Sequence, residues 1–477
     1  MNLAEKLKQE FTVKNTKNGN YYLTSYNSNL DFFAKTARFD SFEQIQNDFS
    51  CALKENKELA LANLLFALDI RGGKGEREIF KAAFNYLCKN DIESAAKILP
   101  FIGKLGRYDY ILEGLNTPFE ENVISFIATQ LEEDLKSEHP SLLAKWLPSH
   151  RNGKKDSKKA KRIMCKMGIN ERQYRKMLSS LRLKINLVET NLTNKEYDQI
   201  DYEQVPTKAM LKYKNTFSKV DKENFGSYLE SIKKGEKKIN TSGLFAHEVI
   251  REINKHGSKD KELLDAMWNN QKDLLKGINK NVLVVADTSG SMLWYENGLP
   301  LDASIGLAIY TAERNTGLFK NMFITFSSNP TLQEVKGDTI YEKVKNIHQI
   351  NSNTDIDKVF EMLLNTMKRH NGVQDDLPSH IIIISDMEFD EGIKSRRKTN
   401  FQVWKGVYEE YGYTLPKIVF WNVAGKGRGL PATKYDNDVI MVSGFSTNLL
   451  ENIFNVEEYK PETFMLTTLQ KYIDMLK

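Results

Sequence analysis

The stretch 281-NVLVVADTSGSMLW-294 decides how the chain is read. Val282 to Ala286 is an apolar run without alternation, the pattern of a central strand covered on both faces of a parallel sheet. It ends in Asp287, Ser289 and Ser291, with an oxygen-bearing side chain at every second position. A carboxylate at the end of a buried strand is costly unless something pairs with it. Side chains two apart in extended backbone point the same way, so these three converge on one point. Gly290 permits the tight backbone path that this requires.

Working outward, the grammar of the chain differs on the two sides of this stretch. After residue 278, short strands ("NVLVVA", "NMFITF", "HIIIIS", "KIVFWNV", "DVIMVS") alternate with helical segments ("DASIGLAIYTAERN", "DIDKVFEMLLNTMKRH", "FQVWKGVYEEYG"). That alternation predicts an α/β doubly wound domain over 278–477, a parallel sheet with helices on both faces. Before it, windows such as "ELALANLLFALDI" and "EREIFKAAFNYLCK" repeat apolar residues at three- and four-residue spacing. Residues 1–277 are therefore expected to be α-helical, built from helix pairs as in a HEAT-like solenoid, although no fixed period is evident. Stretches 191–222 and 232–243 are polar and are expected to be loop-rich.

Ligands in such sheets sit at the carboxyl ends of the strands, where Asp287 stands. Two further strand-end loops offer matching groups: Thr354 in "NSNTDID", just ahead of a helix, and Asp386 in "IIIISDMEFD". Hard oxygen donors of this kind suit Mg2+ or another divalent cation such as Mn2+. Two carboxylates and three hydroxyls would neutralise the ion and leave one octahedral position open for an anionic oxygen of a partner. Asp355, Glu388 and Asp390 lie beside them as rival donors. The competing reading of D-T-S-G-S is a polar turn with local Asx and Ser hydrogen bonds.

"DTSGSM", then "NTD", then "ISDMEFD" resemble the metal-ion-dependent adhesion site (MIDAS) of von Willebrand factor A domains. The resemblance covers about 278–477 and implies metal-approaching roles for Asp287, Ser289, Ser291 and Thr354. It places Asp386 behind a water.

Composition bounds the remaining choices. A chain of 477 residues with 27% charged residues and a mean hydropathy of −0.50 is expected to be globular. No apolar stretch approaches the roughly 20 residues of a membrane span. The start, "MNLAEKLKQEF", lacks the apolar core of a secretory signal, and a cytoplasmic location is expected. Three dispersed cysteines exclude a disulfide framework and any CxxC metal site. Net charge is only +5, yet residues 151–190 hold thirteen Lys or Arg against three acids, a local excess of +10. By helical projection Tyr174, Met177, Leu178, Leu181, Ile185 and Val188 form a core stripe, with Arg172, Arg175, Lys176 and Arg182 outside it. Lys158, Lys159, Lys161, Arg162 and Lys166 flank a preceding stripe. Few acids intervene, so a surface for a polyanion is expected here. The loops "RGGKGER", with Arg71, Lys74 and Arg77, and "GKLGRYD" fall between helical segments, where backbone N–H groups can meet phosphate or merely form turns.

The order of parts resembles the Ro ribonucleoprotein family, in which a ring of helical repeats, the TROVE module, is closed by an adhesion-type domain. "LLFALDIRGGKGEREIF", "IGKLGRYDYIL" and "GLFAHEVIREI" carry the local likeness, closest to an uncharacterised branch of that family. The resemblance implies binding of single-stranded or small structured RNA, and no individual RNA-contacting residue transfers from it. No catalytic role is expected. "HEVIRE" begins like a zinc-protease motif, but Arg251 occupies the place of the second histidine. The alternatives are a protein adaptor working only through the metal site for an acidic partner, and a DNA-binding helical protein, since 156–188 superficially resembles helix-turn-helix.

Overall fold

The computed structural model describes residues 13–16, 19–150, 153–256, 260–326, 329–347, 354–389, 399–425 and 429–477. Arg151 and Asp390, named above, lie outside them. The chain folds as two compact units, one of residues 1–66, 72–79 and 244–477, the other of 67–71 and 80–243.

The first unit is built on a six-stranded sheet. Its strands are β3 (Val282–Asp287), β4 (Met322–Phe326), β5 (Thr331–Glu334), β6 (His380–Ser385), β7 (Lys417–Asn422) and β8 (Val439–Ser443), while β1 (Val13–Thr16) and β2 (Gly19–Tyr22) form a separate antiparallel hairpin. The order is β5-β4-β3-β6-β7-β8. All neighbours are parallel except β4 and β5. Every residue of β3 and of β6 is buried, as expected for central strands covered on both faces. The order reverses direction between β3 and β6, the switch point at which doubly wound sheets open a crevice.

The helix Leu299–Arg314 connects β3 to β4 and is apolar almost all round, so it is buried on nearly every side. Its Gly306 lies against the helix Ala246–His256: a Cβ there would stand 2.9 Å from the backbone nitrogen of His247. His247 itself is buried and packs edge-on against Phe445, which gives it a packing role.

All five predicted strands and the three predicted helices of the C-terminal part are present. The unit boundary, however, does not follow 277/278. Residues preceding 67 complete the sheet unit: Tyr22 pairs with Leu430 in a two-way backbone bridge, and Phe33 meets Phe464 edge-on at 5.9 Å.

The second unit is helical among its described residues. The helix Glu120–Lys136 buries Val123, Ile124, Ile127 and Leu131, and Phe84 meets Phe119 edge-on. The stretch 191–222, expected to be loop-rich, instead contains the helix Thr207–Val220, and the helix Lys222–Lys233 follows it. They close a small aromatic core in which Tyr202 touches Phe217, Phe225 and Tyr228. So few apolar residues serve each of these helices that their spacing does not stand out from the polar background. No helix among the described residues is long and apolar enough to cross a membrane.

Candidate functional site

Asp287 closes β3, and the parallel register that pairs Ala286 with Ile384 brings Ser385 of β6 alongside it. Ser385 Oγ donates to Asp287 Oδ2 at 2.7 Å, and the Ser289 N–H donates to Asp287 Oδ1 at 2.8 Å. Ser289 Oγ and Ser291 Oγ share a hydrogen bond of 2.9 Å, so the two hydroxyls do converge. From the next loop, the Glu388 N–H donates to Asp386 Oδ1 at 3.0 Å. Thr354 Oγ1 donates to the Glu388 carbonyl at 2.7 Å, which ties the third loop to the second.

Between Asp386 and Glu388 the chain turns through Met387 at φ +64°, a left-handed conformation that a side chain resists. The Met387 N–H reaches Ser385 Oγ at 3.1 Å. Ser385 thus holds Asp287 with its proton and the Asp386 loop with its lone pair. Sequence reasoning missed this residue, although an "SD" at the end of an all-apolar strand places one hydroxyl beside the first strand's carboxylate.

Both carboxylates are fully buried, Asp287 and Asp386 each at 0% exposure. Burial first, and the negative charge of Asp386 second, push the Asp287 carboxyl up to about 7. Two buried like charges raise each other's cost, and a divalent cation between them reverses the sign of that interaction. The donor set of two carboxylates and three hydroxyls on three loops fits a hard cation. Asp287, Ser289, Ser291, Thr354 and Asp386 would hold it. Of the rival donors, Asp355 is engaged as the N-cap of the helix Ile356–His370, accepting from the Lys358 N–H, and Glu388 joins the network through its backbone.

The predicted basic helices are Gly153–Met167 and Glu171–Lys184, with Gly168 (φ +66°) between them and Asn170 capping the second. Lys158, Lys161, Arg172, Arg175 and Lys176 are exposed, Lys159 partly so, and none of these six is held by an acidic partner among the described residues.

Other candidates have structural duties. Arg162 pairs with Glu120 at 2.5 Å, and Lys166 pairs with Glu121. Arg182 does not face a ligand as expected. Its guanidinium donates to the carbonyls of Ala144 (2.9 Å) and Leu147 (3.1 Å) and to Ser149 Oγ (3.2 Å), closing the end of the short helix Leu143–Trp146.

The glycine loops are corrected more strongly. Lys74 is not a phosphate ligand: it is buried at 3% exposure, and its ammonium donates to the Phe33 carbonyl and to Ser443 Oγ. Arg77 is exposed beside Glu78, and Arg71 is exposed. In "GKLGRYD", Arg107 is taken up by Asp109 at 2.6 Å and lies 3.9 Å over the Trp146 ring.

Residues 281–471 match a family model described as a domain of unknown function (DUF7788). Residues 144–283 match another domain of unknown function (DUF2828). The uncharacterized protein L728 of Acanthamoeba polyphaga mimivirus is 30% identical over 513 residues, covering 96% of this chain and 87% of the viral one. The chain belongs to the same family as that mimivirus protein.

Proposed function

We propose that this chain is a non-catalytic binding protein with two recognition elements, a von Willebrand factor A-type metal-dependent adhesion site and a basic helical surface for RNA. The observation that carries the first is the meeting of Asp287, Ser289, Ser291, Asp386 and Thr354 through one hydrogen-bonded network at the switch point of the sheet. A bound Mg2+ would supply Lewis acidity toward an anionic oxygen of a partner. The protein's own groups orient that cation and keep water from the carboxylates behind it. Trp294, 71% exposed three residues beyond Ser291, offers a partner an aromatic anchor of the kind that dominates interfaces.

The RNA reading rests on the exposed cations of the helices Gly153–Met167 and Glu171–Lys184, namely Lys158, Lys161, Arg172, Arg175 and Lys176, which have no acidic partner among the described residues. It accords with a Ro-type ribonucleoprotein built on HEAT-like helical repeats. Calorimetric titration with MgCl2 tests the first element, with one site expected in the native chain and none in Asp287→Ala. Electrophoretic mobility of a single-stranded RNA and a small hairpin RNA across a salt series tests the second. If Asp287→Ala removes Mg2+ binding but RNA binding is absent throughout, the adaptor reading replaces the ribonucleoprotein one.

A further inference from the structure

Away from the metal cradle, a cavity of about 390 Å³ opens between the helix Ile356–His370 and strands β4 and β5. Its walls are Phe319, Ile324, Leu332, Met362, Met367 and Leu377. It lies at the opposite end of β6 from Asp386, since Leu377 and Pro378 lead into that strand and Asp386 leaves it. The volume falls within the range of small-molecule sites, with room for roughly a dozen heavy atoms at the ~30 Å³ that each water occupies in the liquid.

Three features mark the cavity as more than loose packing. Leu332, on the edge strand and cross-strand from Ile324, is 53% exposed where a ligand would cover it. Two methionines, adaptable in shape, form one wall. Gly372 keeps that wall in place, because a Cβ there would lie 2.8 Å from both Sδ and Cε of Met367.

The polar groups at the cavity are few: Thr366, His370 and Asp376. The Thr366 hydroxyl is spent on the Met362 carbonyl at 2.8 Å. Asp376 Oδ2 accepts the Val373 N–H at 2.8 Å, and a carboxylate retains acceptor capacity beyond one such bond. The Asp376 carboxylate is thus the acidic group among the lining residues.

We infer that this cavity binds a small amphipathic amine, its apolar body between the Ile356–His370 helix and β4–β5 and its ammonium at Asp376. The site is independent of the metal reading and goes beyond it.

The test uses the full chain with three probes of equal chain length: decylamine, decanol and decanoate. Binding is followed by the ε-methyl NMR resonances of Met362 and Met367. One saturable site is expected, with decylamine at least tenfold tighter than decanoate. Asp376→Asn should bring decylamine level with decanol. Thr366→Trp, at an exposed position lining the cavity, should lose decylamine, and Met362→Trp should do the same from the neighbouring turn. Shifts that never saturate, decanoate binding as tightly as decylamine, or decylamine binding undisturbed by both tryptophan variants would each overturn the inference.

Discussion

Ser385 Oγ sits 2.7 Å from Asp287 Oδ2 and also receives the Met387 N–H, so one hydroxyl joins the ends of two neighbouring strands at the crevice of the sheet. Ser385→Ala leaves a buried carboxylate oxygen without its donor. A hydrogen bond to a charged group is worth about 1.5–3 kcal/mol, and the variant should lose stability of that order in denaturant titration. Its Mg2+ affinity should fall less than that of Asp287→Ala, because all five proposed donors remain.

Removing a charge from the cradle should act in the opposite direction when no cation is present. Asp287 and Asp386 repel each other in full burial, so Asp287→Asn should unfold no earlier than the native protein in magnesium-free buffer. Cation that binds only the folded state raises its melting temperature by mass action. That rise should be present in the native chain and vanish in Asp287→Asn, as read by differential scanning fluorimetry with and without MgCl2. A retained rise would place the cation elsewhere.

Lys74 predicts a pH dependence. Burial pulls its ammonium down to about 7 from an ordinary 10.5, against the weaker opposing pull of Glu76. Below pH 7 it is charged in both the folded and unfolded states and contributes no slope. Between about 7 and 10.5 the unfolded chain binds the extra proton, so stability rises with pH, by at most about 1.4 kcal/mol per pH unit. Chemical denaturation at pH 7 and pH 9 should show the native protein gaining on Lys74→Met across that interval. Parallel curves for the two proteins would show that the ammonium stays charged.

On the helical unit, the exposed and the engaged cations should separate cleanly. Arg172→Glu together with Arg175→Glu should weaken RNA binding about tenfold or more and flatten its dependence on salt. Arg182→Ala should leave RNA affinity within a factor of two and lower the melting temperature, since it strips donors from the end of the helix Leu143–Trp146. Loss of RNA binding in Arg182→Ala with unchanged melting would reverse these assignments.

Gly306→Ala tests the packing behind β3. The added methyl meets the His247 backbone rather than a side chain that can swing away, and an overpacked contact of this kind costs about 1–3 kcal/mol. Thermal unfolding should register it without any change in RNA affinity.

Much of the strand-end cluster was legible because its logic is local: an all-apolar strand that ends in alternating oxygens announces both its own burial and a group of polar side chains at its end. The edge strand β5 was not, since Thr331–Glu334 is short and only one of its residues is buried. Lys74 misled for the opposite reason. Among glycines and charges it reads as solvated, but the groups that bury it, Phe33 and Ser443, lie 41 and 369 residues away. No window around position 74 contains them. Arg182 was likewise placed on the right side of its helix, yet the carbonyls it serves belong to a turn about 35–38 residues earlier.

Because the Ser443 hydroxyl lies within hydrogen-bond reach of the Phe33 and Thr36 carbonyls, at 3.0 and 2.9 Å, the helix Ser28–Ala34 cannot complete its contact with the sheet until β8 has been made. At translation speeds of about 5–20 residues per second, that partner emerges tens of seconds later. In the interval the second unit has time to fold, while Phe33 already has Phe66 to stack on and lacks only its edge contact with Phe464. A fragment beginning at 278 would inherit the mirror-image defect, a bare β8 edge and an uncovered Phe464.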